Sequence, residues 1–165
     1  MNLAFVGYNS KETVDIVYAF EKIADVRSEI EVWAPKHWWE IALFKDKIKL
    51  DVDWPRYQAI EDSGVLRIIT ARDAGKLIGY FVGFLAENPR YKGVLRGQAD
   101  IYYVARLYRG KHVGSGMFRF MERVFRDLGA VELIIGHKIH MDNSAFLERL
   151  GYSLIEKVHG KYIGD

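Results

Sequence analysis

Residues Ala99 to Gly136 read as a strand, a glycine-bearing turn, an amphipathic helix and a second strand, and this run limits the fold more than any other part of the chain. "ADIYYVA" is rich in β-branched and aromatic residues, as a strand on a half-buried pleated surface should be. Beyond the turn "RLYRGKHVGSG", Met117, Phe120, Met121, Val124, Phe125 and Leu128 recur on one helical face, with Arg119, Glu122, Arg123 and Arg126 on the other. Gly129 ends the helix and "VELIIG" follows as a strand. Alternation of this kind belongs to a sheet covered by helices.

The rest of the chain fits such a unit. Ser10, Lys11 and Glu12 make a polar helix start, and Val14, Ile16, Val17, Tyr18, Phe20 and Ile23 then recur at helical spacing. Pro35 suits the first turn of a second helix carrying Trp38, Trp39, Ala42 and Leu43, and Pro55 opens a third that stops at Gly64. "LRIITAR" and "KLIGYFVGFL", separated by "DAG", form a hairpin whose Gly75 takes a positive φ. Glu87 to Gln98 is polar and reads as a loop, "DNSAFLERL" as a short helix closed by Gly151, and "YSLIEKV" as a final strand. With no repeat, low-complexity tract or linker, the chain is expected to be one α/β domain, its hairpins arguing for a mixed sheet.

Composition narrows the function classes. The 165 residues are 50% hydrophobic, enough for one real core, and contain no cysteine, which excludes disulfides and thiolate metal sites and suits a reducing cytoplasm. Met1 to Ser10 lack the basic and apolar regions of a signal peptide, and no apolar run approaches the roughly 20 residues needed to cross a bilayer. An intracellular protein without membrane attachment is expected. The net charge of +2, from 24 basic and 22 acidic residues, is too balanced to argue for nucleic acid, so any anion site must be local.

The glycine turn is the place for one. A helix N-terminus presents unsatisfied N–H groups and the positive end of the macrodipole, which together suit a phosphate. Gly110, Gly114 and Gly116 lack the Cβ that would block close approach to the backbone, and Arg109 and Lys111 add charge at the rim. The same turn also suits the plain task of joining strand to helix. No Gly-Lys-Ser/Thr ending of a nucleoside-triphosphate loop is present, and no acidic residue stands where a dinucleotide fingerprint requires one.

Tyr108-Arg109-Gly110-Lys111-His112-Val113-Gly114, with Ala145, Phe146, Glu148, Leu150, Gly151 and Tyr152 further on, resembles the acetyl-CoA-binding half of the GNAT superfamily of N-acetyltransferases. The family pattern is a basic or Gln residue, two variable residues, Gly, a variable residue, then Gly or Ala, and His112 stands where its first glycine usually falls. Shifted by two, Lys111-His112-Val113-Gly114-Ser115-Gly116 satisfies the pattern. The resemblance covers residues 66–159, and its phrasing is closest to acetyltransferase-like proteins of tailed bacteriophages and their hosts.

This resemblance implies an α/β GNAT (acyl-CoA N-acyltransferase) fold, its N-terminal helical part (1–64) on the acceptor side and its acetyl-CoA-binding core at 65–165. It implies direct transfer of an acetyl group, in a ternary complex, from acetyl-CoA to a primary amine on a small molecule or protein, without a metal. The cofactor diphosphate would meet Arg109, Gly110, Lys111, His112, Val113, Gly114, Ser115 and Gly116. Pantetheine, and the oxyanion of the tetrahedral intermediate, would meet the backbone of Tyr103, Val104 and Ala105. A lysine-like amine, with a pKa near roughly 10.4, must lose a proton first. The family's acidic residue for that step falls on Asp100, which equally suits a loop cap or a partner for Arg96. The tyrosine that often protonates the departing thiolate falls on Leu147, leaving Tyr152, Tyr103 or a water; the family's asparagine falls on His140, with Asn143 closer to the Ala. The apolar "YSLIEKVHGKYIGD" would permit a homodimer through the last strand.

Trp33, Trp38, Trp39 and Trp54 suit either stacking a substrate or filling a core. His137 and His140 lack a third metal ligand, so zinc is not expected. His112 suits a phosphate contact, a pH sensor or a solvent-facing loop position, and "NPRYKGVLRG" an acidic partner or a solvated surface. The rivals to catalysis are a non-catalytic acyl-CoA-binding or protein-interaction module on the same fold and, against the charge balance, a nucleic-acid-binding module.

Overall fold

The computed structural model describes residues 4–7 and 15–164, with side chains from 15 onward. A six-stranded sheet holds β1 (Ala4–Gly7), β2 (Ile16–Glu21), β3 (Leu66–Asp73), β4 (Lys76–Glu87), β5 (Leu95–Val104) and β6 (Ala130–Ile134) in sequence order. Every neighbouring pair is antiparallel except β5 and β6, which are parallel and joined through α3 (Val113–Asp127). The mixed α/β architecture is the one expected. On the opposite face lie α1 (Ile23–Ile41) and α2 (Trp54–Asp62), and α4 (Ser144–Arg149) follows β6.

The hairpin forms as read, with Gly75 at φ 82. α2 starts at Asp53, whose carboxylate accepts from the Arg56 N–H at 2.9 Å, with Pro55 in its first turn, and Gly64 ends it at φ 76. α3 buries Met117, Phe118, Phe120, Met121, Val124 and Phe125, while Leu128 stays exposed past its end.

Four expectations need correction. The helix expected around Ile16 to Ile23 is a strand as far as Glu21, and Ile23 opens α1: Ile16 and Tyr18 alternate into the core and Tyr18 pairs with Ala71, so sheet pairing overrides the ambiguous apolar period. Its expected start at Ser10 to Val14 lies outside the described residues. Pro35 does not open a helix but sits inside α1, because Ile23, Val26, Ile30 and His37 form one continuous buried face across it. The loop expected from Glu87 to Gln98 contracts to 88–94, since β4 and β5 pair as far as Glu87 and Leu95. "YSLIEKV" forms no strand: Leu154, Ile155 and Val158 remain exposed, and a strand without a partner has no ladder to hold it.

Two bulges set the geometry of the site. At Ile78 and again at Asp100 one residue is left without an opposite number, and each bulge reverses the side-chain alternation beyond it. Ala99 therefore faces α3, whereas Ile101 and Tyr103 face α1 and α2; Tyr102 and Val104 return to the α3 side.

Candidate active site

The site is a split in the sheet. β5 and β6 pair only from Leu95 and Ala130 to Gln98 and Ile134, after which β5 runs on to Val104 with its outer edge free of β6. Gly97 allows the close pairing beneath, because a Cβ there would lie 2.4 Å from both Leu133 and Phe125. The Ala105 N–H donates to the Ile78 carbonyl at 2.8 Å, so the alternation of an antiparallel ladder turns the backbone groups of Tyr103 toward β4 and those of Tyr102 and Val104 toward the split. The Val104 carbonyl accepts from Arg109 Nε at 2.8 Å.

At the mouth of the split is the N-terminus of α3. His112 precedes it at φ 63 in the left-handed region, which explains why a glycine suits this position, and Gly110 takes φ 74. No side chain caps the helix, leaving the first-turn N–H groups directed outward. The Ser115 hydroxyl instead donates to the His112 carbonyl at 2.8 Å. The glycines divide by task. A Cβ on Gly114 would find ordinary contact, 3.7 Å from Phe146, so backbone access there is open. A Cβ on Gly116 would lie 2.2 Å from the Tyr18 hydroxyl, which donates to the Val113 carbonyl at 3.2 Å; Gly116 serves helix packing. Burial pushes the Tyr18 phenol up to about 12.

The second bank of the split carries Asn143, whose side-chain amide donates to the Tyr102 hydroxyl at 3.5 Å and whose backbone N–H points at His137 Nδ1, 3.4 Å away. His137 Nε2 lies 3.2 Å from the Ser144 hydroxyl and Nδ1 lies 3.7 Å from Asp142. His140 turns away and meets the Glu40 carbonyl at 3.0 Å. Among the described residues no cluster of His, Cys, Asp or Glu is arranged to hold a metal.

On the α1 and α2 side the bulge at Asp100 directs its carboxylate to Tyr57, which donates to it at 2.5 Å. Burial, and then the Asp100 carboxylate, push the Tyr57 phenol up. Arg96 pairs with Glu132 at 2.7 Å and not with Asp100. Next along the same face, His37 Nδ1 meets the Tyr80 hydroxyl at 2.8 Å and the His37 ring lies 4.7 Å from that of Tyr103. Burial holds the His37 imidazole down at about 4. Glu40, with 9% of its side chain exposed, accepts from Arg109 at 2.7 Å and Arg106 at 3.0 Å. Burial opposes its ionisation, but these guanidinium hydrogen bonds outweigh it and hold the carboxyl below its ordinary range.

Tyr152 is elsewhere. It lines a groove between α3 and β6 with Glu122, nine residues and so about 13 Å along the helix from Val113. Its buried hydroxyl makes no hydrogen bond of ordinary geometry, and burial followed by the nearby Glu122 pushes the phenol up. Leu147 is buried in the core beneath α3. Trp33 stacks near Tyr103 at 5.7 Å and Trp54 near Tyr57 at 6.1 Å, whereas Trp39 is 66% exposed. Sequence reasoning missed Glu40, His37, Tyr57, Tyr80 and Tyr102. The available signal was tyrosine on "LIGYFVG" and "DIYYVA", where a hydroxyl on an inward strand position demands a partner.

The geometry has relatives. No curated protein matches the sequence significantly. Among solved structures, the chain is similar to a ribosomal-protein-alanine N-acetyltransferase from Brucella melitensis biovar Abortus 2308, at TM-score 0.71 and 16% identity over 91% of this chain and 99% of that one. It is similar to glucosamine-6-phosphate N-acetyltransferase from Arabidopsis thaliana, at TM-score 0.68 and 18% identity over 90% and 99%. An aminoglycoside acetyltransferase from an uncultured soil metagenomic sample, in complex with sisomicin, matches at TM-score 0.70 and 12% identity over 91% and 97%. At these identities the likeness establishes the fold. The family itself follows from sequence, because the acetyltransferase (GNAT) family model matches residues 24–152, most of the chain. With the split sheet, the glycine loop and that match in agreement, the chain belongs to the GNAT family of acetyltransferases.

Proposed function

We propose that this protein transfers an acetyl group from acetyl-CoA to a primary amine, directly, with both substrates bound at once. The edge of β5 that β6 leaves unpaired beyond Gln98, leading to the uncapped N-terminus of α3, carries the reading. A β-like pantetheine arm needs an unpaired strand edge, and a diphosphate needs outward N–H groups without a Cβ in the way; both fit here. Acetyl-CoA, when bound, supplies the activated acetyl group. Val104 would hold the arm by its backbone, with Tyr103 and Ala105 keeping the strand tied to β4. The backbone from Arg109 to Gly116 would hold the diphosphate, with Gly110, Lys111 and His112 at the rim, the N–H groups of Val113, Gly114 and Ser115 as donors, and Gly116 acting through packing.

The acceptor would enter from the α1 and α2 side, where Asp100 is the candidate base. Asp100 lies four residues from Val104, about 13 Å along a strand, so its proton would arrive through Tyr57 or water. The names of the solved relatives mention alanine, glucosamine-6-phosphate and aminoglycoside acceptors, which supports an amine on either a small molecule or a protein. A single domain from 1 to 165 and a cytoplasmic location complete the reading on the strength of the sequence, whereas the homodimer expected through a last strand has no such strand to use, since "YSLIEKV" forms none. Among the described residues, no helix is long and apolar enough to cross a membrane.

Titration calorimetry of CoA and acetyl-CoA tests it, with Gly114→Glu as the control. Wild type is expected to bind both in the micromolar range, and the variant, whose Cβ meets only ordinary contacts but whose carboxylate brings bulk and negative charge to the cradle, to bind neither. Absence of binding by the wild type overturns the reading.

A further inference from the structure

We propose that Tyr102 is the group that protonates the departing sulfur, with Asn143 as its positioning residue; this rests on the reading above, in which an acyl-CoA lies along the free edge of β5. When the acyl carbon passes to the amine, the C–S bond breaks and its electron pair stays on sulfur. A thiolate leaves more readily if a proton arrives as it forms. The position usual for a tyrosine in this role holds Leu147, which is buried in the apolar core. Tyr152 sits far down α3 beside Glu122, and Tyr103 faces the opposite side of the sheet, its ring 5.3 Å below the Arg109 guanidinium.

Tyr102 meets the requirements that these residues fail. It belongs to the unpaired stretch of β5, on the same face as Val104 and two residues before it, about 7 Å along the strand. Its ring is fixed edge-on against Phe118 of α3 at 5.2 Å. Across the split, Asn143 donates to its oxygen at 3.5 Å, an arrangement that leaves the phenolic hydrogen uncommitted and would favour the phenolate once the proton has gone. Burial pushes the phenol up and Asn143 draws it back, so it stays protonated through neutral pH. The titratable groups behind Asn143 are His137, mostly covered, and Asp142, largely exposed. The proton given to sulfur is replaced from solvent at this rim, while the acceptor's own proton leaves on the Asp100 side, so charge and atoms balance over the cycle.

The test reads the sulfur directly and needs no acceptor. CoA is titrated with wild type and Tyr102→Phe, which keeps the ring contact with Phe118, and the pKa of the bound thiol is followed by the ultraviolet absorbance of its thiolate. If Tyr102 donates to sulfur, it stabilises the thiolate, so the variant should bind CoA within about twofold of wild type but hold a thiol roughly tenfold less acidic, about one pKa unit higher. Asn143→Ala should raise the thiol pKa less, and it serves alone if Tyr102→Phe fails to fold. Equal thiol pKa values in wild type and variant overturn the assignment. A wild type that binds no CoA overturns instead the acyl-CoA reading on which it rests.

Discussion

The two faces of the sheet bury different chemistry. Under α3, Phe81 meets Phe118 and Phe125 edge to face at 6.1 Å each, and Met117 and Met121 are fully enclosed. Under α1 and α2, Ile23, Val26 and Ile30 give way toward the end of β5 to His37, Tyr80 and Tyr103, roofed by Glu40 and Arg109. A hydrocarbon face gains stability from every contact, whereas a face of titratable groups must satisfy each one and spends part of that stability in doing so. The first face holds the fold and the free edge of β5 in place. The second encloses a hydrogen-bonded polar cluster beside that edge.

Three experiments press on this contrast. Phe118→Ala on the apolar face should cost about 3–5 kcal/mol in denaturant unfolding, since its ring touches Phe81, Tyr102 and Phe146. A loss below about 2 kcal/mol would break the division of labour, because it would mean that this core is loosely packed.

On the polar face the signature is pH. His37 is held neutral, its pKa falling from 6.5 to about 4 on folding, so the unfolded chain binds the extra proton between those values. Its share of stability is complete above pH 6.5 and is lost as pH falls toward 4, by about 3 kcal/mol. In His37→Gln, which keeps a partner for Tyr80, this part of the acid slope should vanish. An identical slope in the variant would show that His37 is not the titrating group.

The finest contrast lies within α3 itself. Gly116→Ala should cost about 1–3 kcal/mol through collision with Tyr18. Gly114→Ala should be neutral or should gain up to about 1 kcal/mol, because the helix prefers alanine and the space is open. Equal effects at the two positions would mean that Gly116 is not a packing residue.

Legibility in the sequence followed the range of the interactions. The hairpin, α2, α3 and α4 were read correctly because their signals are local: Gly75, Pro55, the stripe from Met117 to Phe125, and Gly151. β2 was misread because Ile16, Val17, Tyr18 and Phe20 satisfy both periods, and pairing with β3, some fifty residues away in sequence, decides between them. Pro35 was misread because the buried face running on to His37 outweighs a local helix breaker. In the site, the glycine loop was legible as a motif, although the separate task of Gly116 depends on Tyr18, a residue on another strand. Asp100 stood out as the lone carboxylate of its strand, but its tie to Tyr57 and the pairing of Arg96 with Glu132 join residues that no spacing rule connects.

By itself, the sequence determined the α/β class, the strand–glycine–helix junction and the family, because periodicity, turn residues and a short motif are properties of neighbours along the chain. Only the tertiary structure decided which backbone groups of β5 face the split, since the bulge at Asp100 and the shortness of β6 exist only once strands pair. The same is true of Glu40, Tyr102 and Asn143. Their chemistry depends on distances across the fold, and those are set by how two differently built faces close on one sheet.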